Sequence, residues 1–122
     1  MNNTRRKELY SAIDELESLL NLVQARAVEF ADNEDLCVSV SGDISSVADQ
    51  IDTLYDEEQD AYDNLPEGLQ LSERGETMCD NVDALDNCRS EIEDAASDIE
   101  DGNVMEAIGL LESAISYANS VE

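Results

Sequence analysis

Apolar residues recur along most of the chain at alternating spacings of three and four. In the first third, this stripe comprises Leu9, Ile13, Leu16, Leu20, Val23, Ala27 and Phe30. The spacing places these side chains on one face of an α-helix, over about four heptads. It predicts one continuous helix that ends near Phe30 and begins at an N-cap residue, either Asn3 or Thr4.

A second stripe comprises Ile44, Val47, Ile51, Leu54, Ala61 and Leu65. It predicts a helix from about Asp43 to Asp63, because Pro66 disfavours helical backbone in the residue before it. Between the first two stripes, residues 33–43 combine weak helix formers with Gly42. Three alternatives stay open for them: a loop, a short extended segment, or a poor first turn of the second helix.

The last two stripes follow a loop at residues 64–72, and they comprise Met78, Val82, Leu85, Cys88, Ile92, Ala95 and Ile99, then Val104, Ile108, Leu111, Ile115 and Ala118. Ser72 is a suitable N-cap for the third helix, and Gly102 is a suitable stop. Asn103 and Glu106 have the spacing of a capping box for the fourth helix. A connection this short predicts that these two helices are antiparallel neighbours.

Together the stripes predict an all-α fold. We expect residues 1–122 to form a single domain, an antiparallel helical bundle that is coiled-coil-like and has three to four helices.

The net charge of the chain restricts the kinds of molecule that it can bind. Six Lys and Arg residues face 31 Asp and Glu residues, which gives a formal net charge of -25. A field of this sign repels nucleic acid and anionic membranes and speeds encounter with basic surfaces. We therefore expect a basic protein as partner, with no direct binding to nucleic acid or to a membrane.

The chain lacks the residue patterns of common catalytic and cofactor sites. It has no His, its three Cys do not have zinc-ligand spacing, and its five Gly do not form a phosphate-binding loop. The segment at 97–102, SDIEDG, lacks acids at two of the positions that a calcium loop needs. We therefore expect neither catalysis nor a metal or cofactor, although weak binding of divalent cations stays an alternative.

The three Cys residues, together with the absence of an apolar leader, also predict a location. An odd number of cysteines argues against a disulfide framework and for a reducing compartment. No charged start is followed by an apolar run, so no signal peptide is expected. The predicted location is the cytoplasm.

Acidic residues crowd the outer faces of the second and third helices. Residues 73–101 carry eleven acids and two arginines over roughly 43 Å of helix. Duplex DNA carries one charge per about 1.7 Å, so two or three such helices side by side would approach its charge density. The predicted partner-binding residues are Asp49, Asp52, Asp56, Glu57, Asp60, Asp63, Glu67, Glu73, Glu76, Asp80, Asp83, Asp86, Glu93, Asp94 and Asp98.

A charged outer face is also what an ordinary soluble helix presents. Such helices, however, usually mix the two signs, because opposite charges three or four residues apart stabilise a helix and like charges destabilise it. Here one sign dominates, which favours a binding role, while a solubilising role stays the alternative.

The segment from Asp56 to Glu76, DEEQDAYDNLPEGLQLSERGE, resembles a motif of small acidic proteins from bacteriophages and mobile elements of Gram-positive bacteria. In those proteins the motif is roughly DEEQ-x-x-YDNLPE-x-LQ-x-SER, and it carries no established chemistry. The resemblance covers 21 of 122 residues and implies a phage or mobile-element setting, hence a bacterial host cytoplasm. Read from its residues alone, the segment is a specified interhelical turn in which Arg74 pairs with Glu58 or Asp63.

Size and charge are also similar to those of phage-encoded DNA mimics, such as anti-restriction and anti-CRISPR proteins. The leading hypothesis is therefore an acidic inhibitor that binds the basic nucleic-acid site of a host defence nuclease or DNA-binding protein. The alternative is a helical adaptor or oligomerisation module, with the Leu9–Phe30 stripe as the interface of a homodimer.

Overall fold

A computed structural model describes all residues, 1–122, and contains six helices and no strand. The helices are α1 (Asn3–Ala25), α2 (Ala27–Asp32), α3 (Glu34–Asp63), α4 (Glu67–Gln70), α5 (Glu73–Glu100) and α6 (Val104–Asn119). The prediction of an all-helical, bundle-like fold is confirmed. The predicted count of three to four is too low, because two short helices accompany the four long ones.

The four long helices pack in a ring in which α3 contacts α1 and α5, and α6 contacts α1 and α5. Neighbours in the ring run in opposite directions. Ser41 bonds to Ala96 and Asp52 to Arg89, so residue numbers rise along α3 as they fall along α5. The same holds for α1 against α3, through Arg5–Glu58 and Glu15–Gln50, and for α1 against α6, through Arg6–Glu122 and Gln24–Glu112.

One aliphatic core of 24 buried residues joins the four long helices. Most of the predicted stripe positions are buried in it, among them Leu16, Ile51, Leu85 and Leu111, whose exposure is at most 1%. Phe30 is the only phenylalanine, and it is also buried. The Leu9–Phe30 stripe thus faces the other helices of its own chain.

Residues 34–43 are helical, so the second helix begins at Glu34 and the predicted start near Asp43 is wrong. Of the three alternatives, a first turn of the second helix is the nearest, but the helical segment is ten residues long. Asn33 is the N-cap, and its side chain accepts a hydrogen bond of 3.0 Å from the backbone N–H of Leu36. Cys37 and Val40 lie in the core, and the buried Ser41 donates to the Ala96 carbonyl at 2.8 Å. Burial of this face outweighs the weak helix propensity of the segment.

The predicted first helix is not continuous to Phe30. Its backbone leaves the helical region at Arg26, with φ -120° and ψ 23°, and α2 follows. The N-cap of α1 is Asn2 instead of Asn3 or Thr4, since its side chain accepts from the Arg5 N–H at 2.8 Å. Neither Pro nor Gly marks the break at Arg26, and nothing in the structure explains why it falls there.

The ends of α5 match the sequence prediction, whereas the start of α6 does not. Ser72 is the N-cap of α5, and Gly102 follows its C-terminus in the left-handed region with φ 82°, a conformation that glycine adopts without strain. The Asn103 side chain makes no capping hydrogen bond, so the predicted capping box with Glu106 is wrong.

The loop between α3 and α5 folds tightly against the first turn of α5. It contains α4, and Gly75 of α5 is buried against it. A Cβ atom placed on Gly75 would lie 2.2 Å from the Gln70 carbonyl oxygen and 2.5 Å from that of Leu69. The close approach of the two backbones therefore requires glycine at position 75.

We expect Gly75→Ala to lower the free energy of unfolding by about 1–3 kcal/mol, because the added methyl group meets backbone that cannot rotate away. Gly42→Ala is the control, since Gly42 lies exposed within α3 with nothing within 4 Å of the added atom. Gly42→Ala is expected to stabilise by up to about 1 kcal/mol through helix propensity. Urea unfolding followed by circular dichroism measures both, and equal shifts of the two variants would contradict the packing argument.

Candidate functional site

The negative charge is concentrated on one side of the bundle. α3 carries ten acidic residues and no basic residue, and α5 carries ten acids with Arg74 and Arg89. By contrast, α6 has two acids, and α1 has four acids against three basic residues. Because α3 and α5 are neighbours in the ring, their exposed carboxylates form one region, here called the α3/α5 face, except for Asp43 and Glu57, which lie on the side of α3 that faces α1.

Thirteen of the fifteen predicted partner-binding residues are exposed, and only Asp52 and Asp98 are half-buried. Fourteen of the fifteen lie on α3 or α5, and Glu67 lies on α4. The structure thus places these carboxylates at the surface of the bundle and most of them on the α3/α5 face.

Not all fifteen residues point the same way. Asp86 lies on the flank of α5 that faces α3, since it shares Arg89 with Asp52. Helical periodicity places Asp80 and Asp98 about 120° further round α5, away from α3. Glu57 lies beside Glu8 in the groove between α1 and α3. The set is therefore a broad convex region with flanks, instead of a single row.

Arg89 is the one cation in the middle of the α3/α5 face. Its guanidinium pairs with Asp52 of α3 and with Asp86 of its own helix, and it lies 4.7 Å from the ring centroid of Tyr55. The hydrogen bond with Asp52, reinforced by the charge of Asp86, raises the pKa of Arg89. Arg89 thus joins the two acidic helices at the point where their like charges face each other.

Glu58 is an acid that the sequence patterns do not identify as a core residue. Its side chain has no exposed surface, and it pairs with the Nε atom of Arg5 at 3.3 Å and with the α-amino group of Met1 at 3.5 Å. Arg74 makes no ion pair with it, so the predicted pairing of Arg74 with Glu58 or Asp63 is wrong. The heptad spacing nevertheless indicates that Glu58 is buried, because position 58 follows the core residues Ile44 and Ile51 at intervals of seven.

A cavity of about 600 Å³ lies at the end of the bundle where Glu58 pairs with the N-terminus. Its lining includes three of the six basic residues of the chain, Arg5, Arg6 and Arg74, together with Glu73 and Glu122. The Arg6 guanidinium donates to the Glu122 carbonyl at 3.3 Å. The opposing charges largely cancel here, so the strongest electrostatic feature remains the α3/α5 face and not this cavity.

The three cysteines are free and differ in exposure. Cys37 is buried and donates to the Phe30 carbonyl at 3.0 Å. Burial, with a smaller contribution from Glu91, raises the pKa of Cys88 to about 12. A thiol reacts as the thiolate, so Cys88 is unreactive at neutral pH, whereas Cys79 is exposed.

Thiol labelling is expected to show one fast site. At pH 8 an aromatic disulfide reagent should modify Cys79 promptly and should reach Cys37 and Cys88 only when the chain unfolds. Titrating the released chromophore in buffer and in denaturant measures the count, and Cys79→Ser is expected to abolish the fast phase. Fast modification of two or more sites in buffer would contradict the burial of Cys37 and Cys88.

No known protein family, curated protein or solved structure matches this chain. The resemblance of residues 56–76 to phage and mobile-element proteins therefore stays a prediction. No helix has the length and apolar character needed to cross a membrane. No group of three or more acidic or cysteine side chains is arranged to hold a metal ion.

Proposed function

We propose that this protein is an acidic DNA mimic that occupies the basic nucleic-acid site of a DNA-binding protein, with a host defence nuclease of a phage-infected bacterium as the leading class of target. The single observation that supports this is the α3/α5 face. Of the twenty acids on these adjacent helices of 30 and 28 residues, Glu58 is buried and Asp43 and Glu57 face α1, which leaves seventeen acids and two arginines on the face. Held by a packed core, these carboxylates present a fixed geometry to a partner.

The charge density of this face is close to that of a nucleic acid. A 30-residue helix is about 45 Å long, so the fifteen net negative charges of the face over that length give about one charge per 3 Å. Duplex DNA carries one per about 1.7 Å and a single strand one per about 3.4 Å. A groove that binds a phosphate backbone would therefore meet a comparable number of negative charges over a comparable length.

The alternative, an adaptor or oligomerisation module, gains less support. It depended on the Leu9–Phe30 stripe as an interface, and Leu9, Ile13, Leu16, Val23 and Phe30 of that stripe are buried within the chain. A partner could contact that stripe only if the bundle opened. An adaptor or oligomerisation role would therefore need a surface other than the Leu9–Phe30 stripe.

Displacement of DNA tests the proposal. A fluorescent duplex of about 20 base pairs is first bound to a restriction endonuclease, to an RNA-guided nuclease and to a histone-like protein, each in a separate assay. Titration with this chain is expected to release the duplex from at least one of them, with an affinity that falls steeply between 50 and 500 mM salt. If none of the three releases DNA, or if release does not depend on salt, the proposal fails.

Polyglutamate with 25 carboxylates is the matched control, because it carries the same net charge of -25 without the fold. We expect the folded chain to displace the duplex at concentrations at least tenfold lower, since fixed carboxylates avoid the entropy of ordering a flexible polymer. Equal potency would mean that charge alone acts and that the helical geometry contributes nothing.

A further inference from the structure

An apolar patch lies at the end of the bundle opposite the Met1–Glu58 contact. Val28 of α2 is 84% exposed and Met105 of α6 is 73% exposed. Both line a shallow groove of about 370 Å³, together with Ala27, Ala31 and Val104. Single exposed apolar side chains are common on proteins, but two large ones beside the same groove form a patch that a partner can cover. These five residues are called the Val28/Met105 patch.

Acidic residues border this patch. Glu106 lies in the same groove, and an adjoining groove that shares Ala31 and Gly102 is lined by Asp32, Glu34, Glu100 and Asp101. There is no basic residue within 27–38 or 98–108. The nearest along the chain, Arg26, is held by Glu29 at 2.6 Å. The border is therefore purely negative apart from that one ion pair.

The adjoining acids also connect the patch to the α3/α5 face. Glu34 lies in the first turn of α3, and Glu100 is the last residue of α5. A partner seated along the α3/α5 face would therefore reach the patch at the end of the two helices. Interfaces commonly combine an apolar anchor with a charged border of this kind.

We propose that the Val28/Met105 patch receives an aliphatic side chain from the same basic partner that the α3/α5 face attracts. This inference rests on the proposed function. Charge complementarity indicates what binds to the patch. A partner segment with arginines or lysines beside a leucine-like residue matches both the acidic border and the apolar patch. A second copy of this chain would bring the same acids to the border and be repelled. The flexible side chain of Met105 can adapt to the shape of the anchor.

Two synthetic helical peptides serve as probes. Each has about 15 residues and six arginines; one carries two leucines spaced i, i+4 on one face and the other carries serines there. We expect the chain to bind the leucine peptide about tenfold more tightly, because burying one aliphatic side chain gives a gain of that order. The double variant Val28→Ser, Met105→Gln is expected to bind both peptides with the affinity that the native chain has for the serine peptide.

Leu71→Ser is the matched control, because Leu71 is also 84% exposed but follows α4 at the other end of α3. This variant should keep the full preference for leucine. Equal binding of the two peptides by the native chain, or a preference that survives in the Val28/Met105 variant, would overturn the proposal. So would sedimentation that shows a concentration-dependent dimer which the double variant abolishes, since the occupant would then be a second copy.

The outcomes separate this inference from the proposed function. If the DNA-mimic proposal is wrong, the duplex is not displaced in the competition assay, whatever the peptides do. If only the anchor is wrong, the duplex is displaced but the native chain does not distinguish leucine from serine. The peptide comparison holds net charge constant, so electrostatic attraction cancels in the ratio of the two affinities.

Discussion

Neutralising six carboxylates on the α3/α5 face is expected to weaken displacement of DNA by about a hundredfold. The substitutions are Asp to Asn and Glu to Gln at Asp49, Asp56, Asp60, Glu76, Asp83 and Glu93, all of which are exposed. An exposed ion pair contributes on the order of 0.5 kcal/mol, so six lost pairs amount to about 3 kcal/mol. The inhibition constant in the duplex-displacement assay at 100 mM salt measures this loss.

An equal number of carboxylates on the other side of the bundle provides the control. Glu8, Asp14, Glu15, Glu17 and Glu112 lie on α1 and α6, Asp43 lies on the side of α3 that faces α1, and all six are exposed. Neutralising these six leaves the same net charge as in the first variant, so the general attraction to a basic protein falls equally in both. We expect less than a threefold change in the inhibition constant for the control, and a similar loss in both variants would contradict a binding face on α3 and α5.

Replacing Glu58 is expected to have the largest effect on stability. Glu58→Ala leaves the Arg5 guanidinium and the Met1 ammonium without their common carboxylate in a site where Glu58 is fully buried. Removing one partner of a buried ion pair costs about 3–5 kcal/mol, because the remaining charge stays desolvated and unpaired. Urea unfolding at neutral pH measures the change in the free energy of unfolding.

Glu57→Ala is the control for this prediction, because Glu57 precedes Glu58 on the same helix but is exposed. Its expected change is within about 0.5 kcal/mol. A second variant, Glu58→Leu with Arg5→Leu, removes the carboxylate and the guanidinium, leaves only the Met1 ammonium unpaired, and is expected to recover part of the lost stability. If Glu57→Ala and Glu58→Ala destabilise equally, the ion pair does not contribute to stability.

The long helices could be predicted because their apolar stripes are regular and mostly buried. The apolar pattern does not predict the burial of Glu58, because a polar residue at a heptad position breaks that pattern. Its partner Arg5 also lies 53 residues away in sequence. The helical structure of residues 34–43 could not be predicted, because their weak helix propensity is a local property, whereas the burial of Cys37 and Val40 depends on the whole fold. The break at Arg26 has no local signal of any kind.

For the candidate site, too, one property could be predicted from the sequence and another could not. Exposure of the acids follows from the helical period, so thirteen of the fifteen residues could be recognised as exposed. The short connection predicts that α5 and α6 are neighbours, but which flank of α5 faces α6 and which faces α3 depends on the handedness of the bundle, and no local feature of the sequence specifies that handedness. For this reason the predicted set of fifteen includes Glu57, which lies in the groove between α1 and α3, and Asp98, which lies on the side of α5 away from α3.

The uneven placement of acids also has a kinetic consequence. With most of the negative charge along α3 and α5 and little along α1 and α6, the molecule has an electric dipole moment directed from one side of the bundle to the other. In the field of a cationic cleft this dipole produces a torque that rotates the molecule during approach. More collisions then begin in a productive orientation, and this advantage fades once the Debye length becomes shorter than the approach distance.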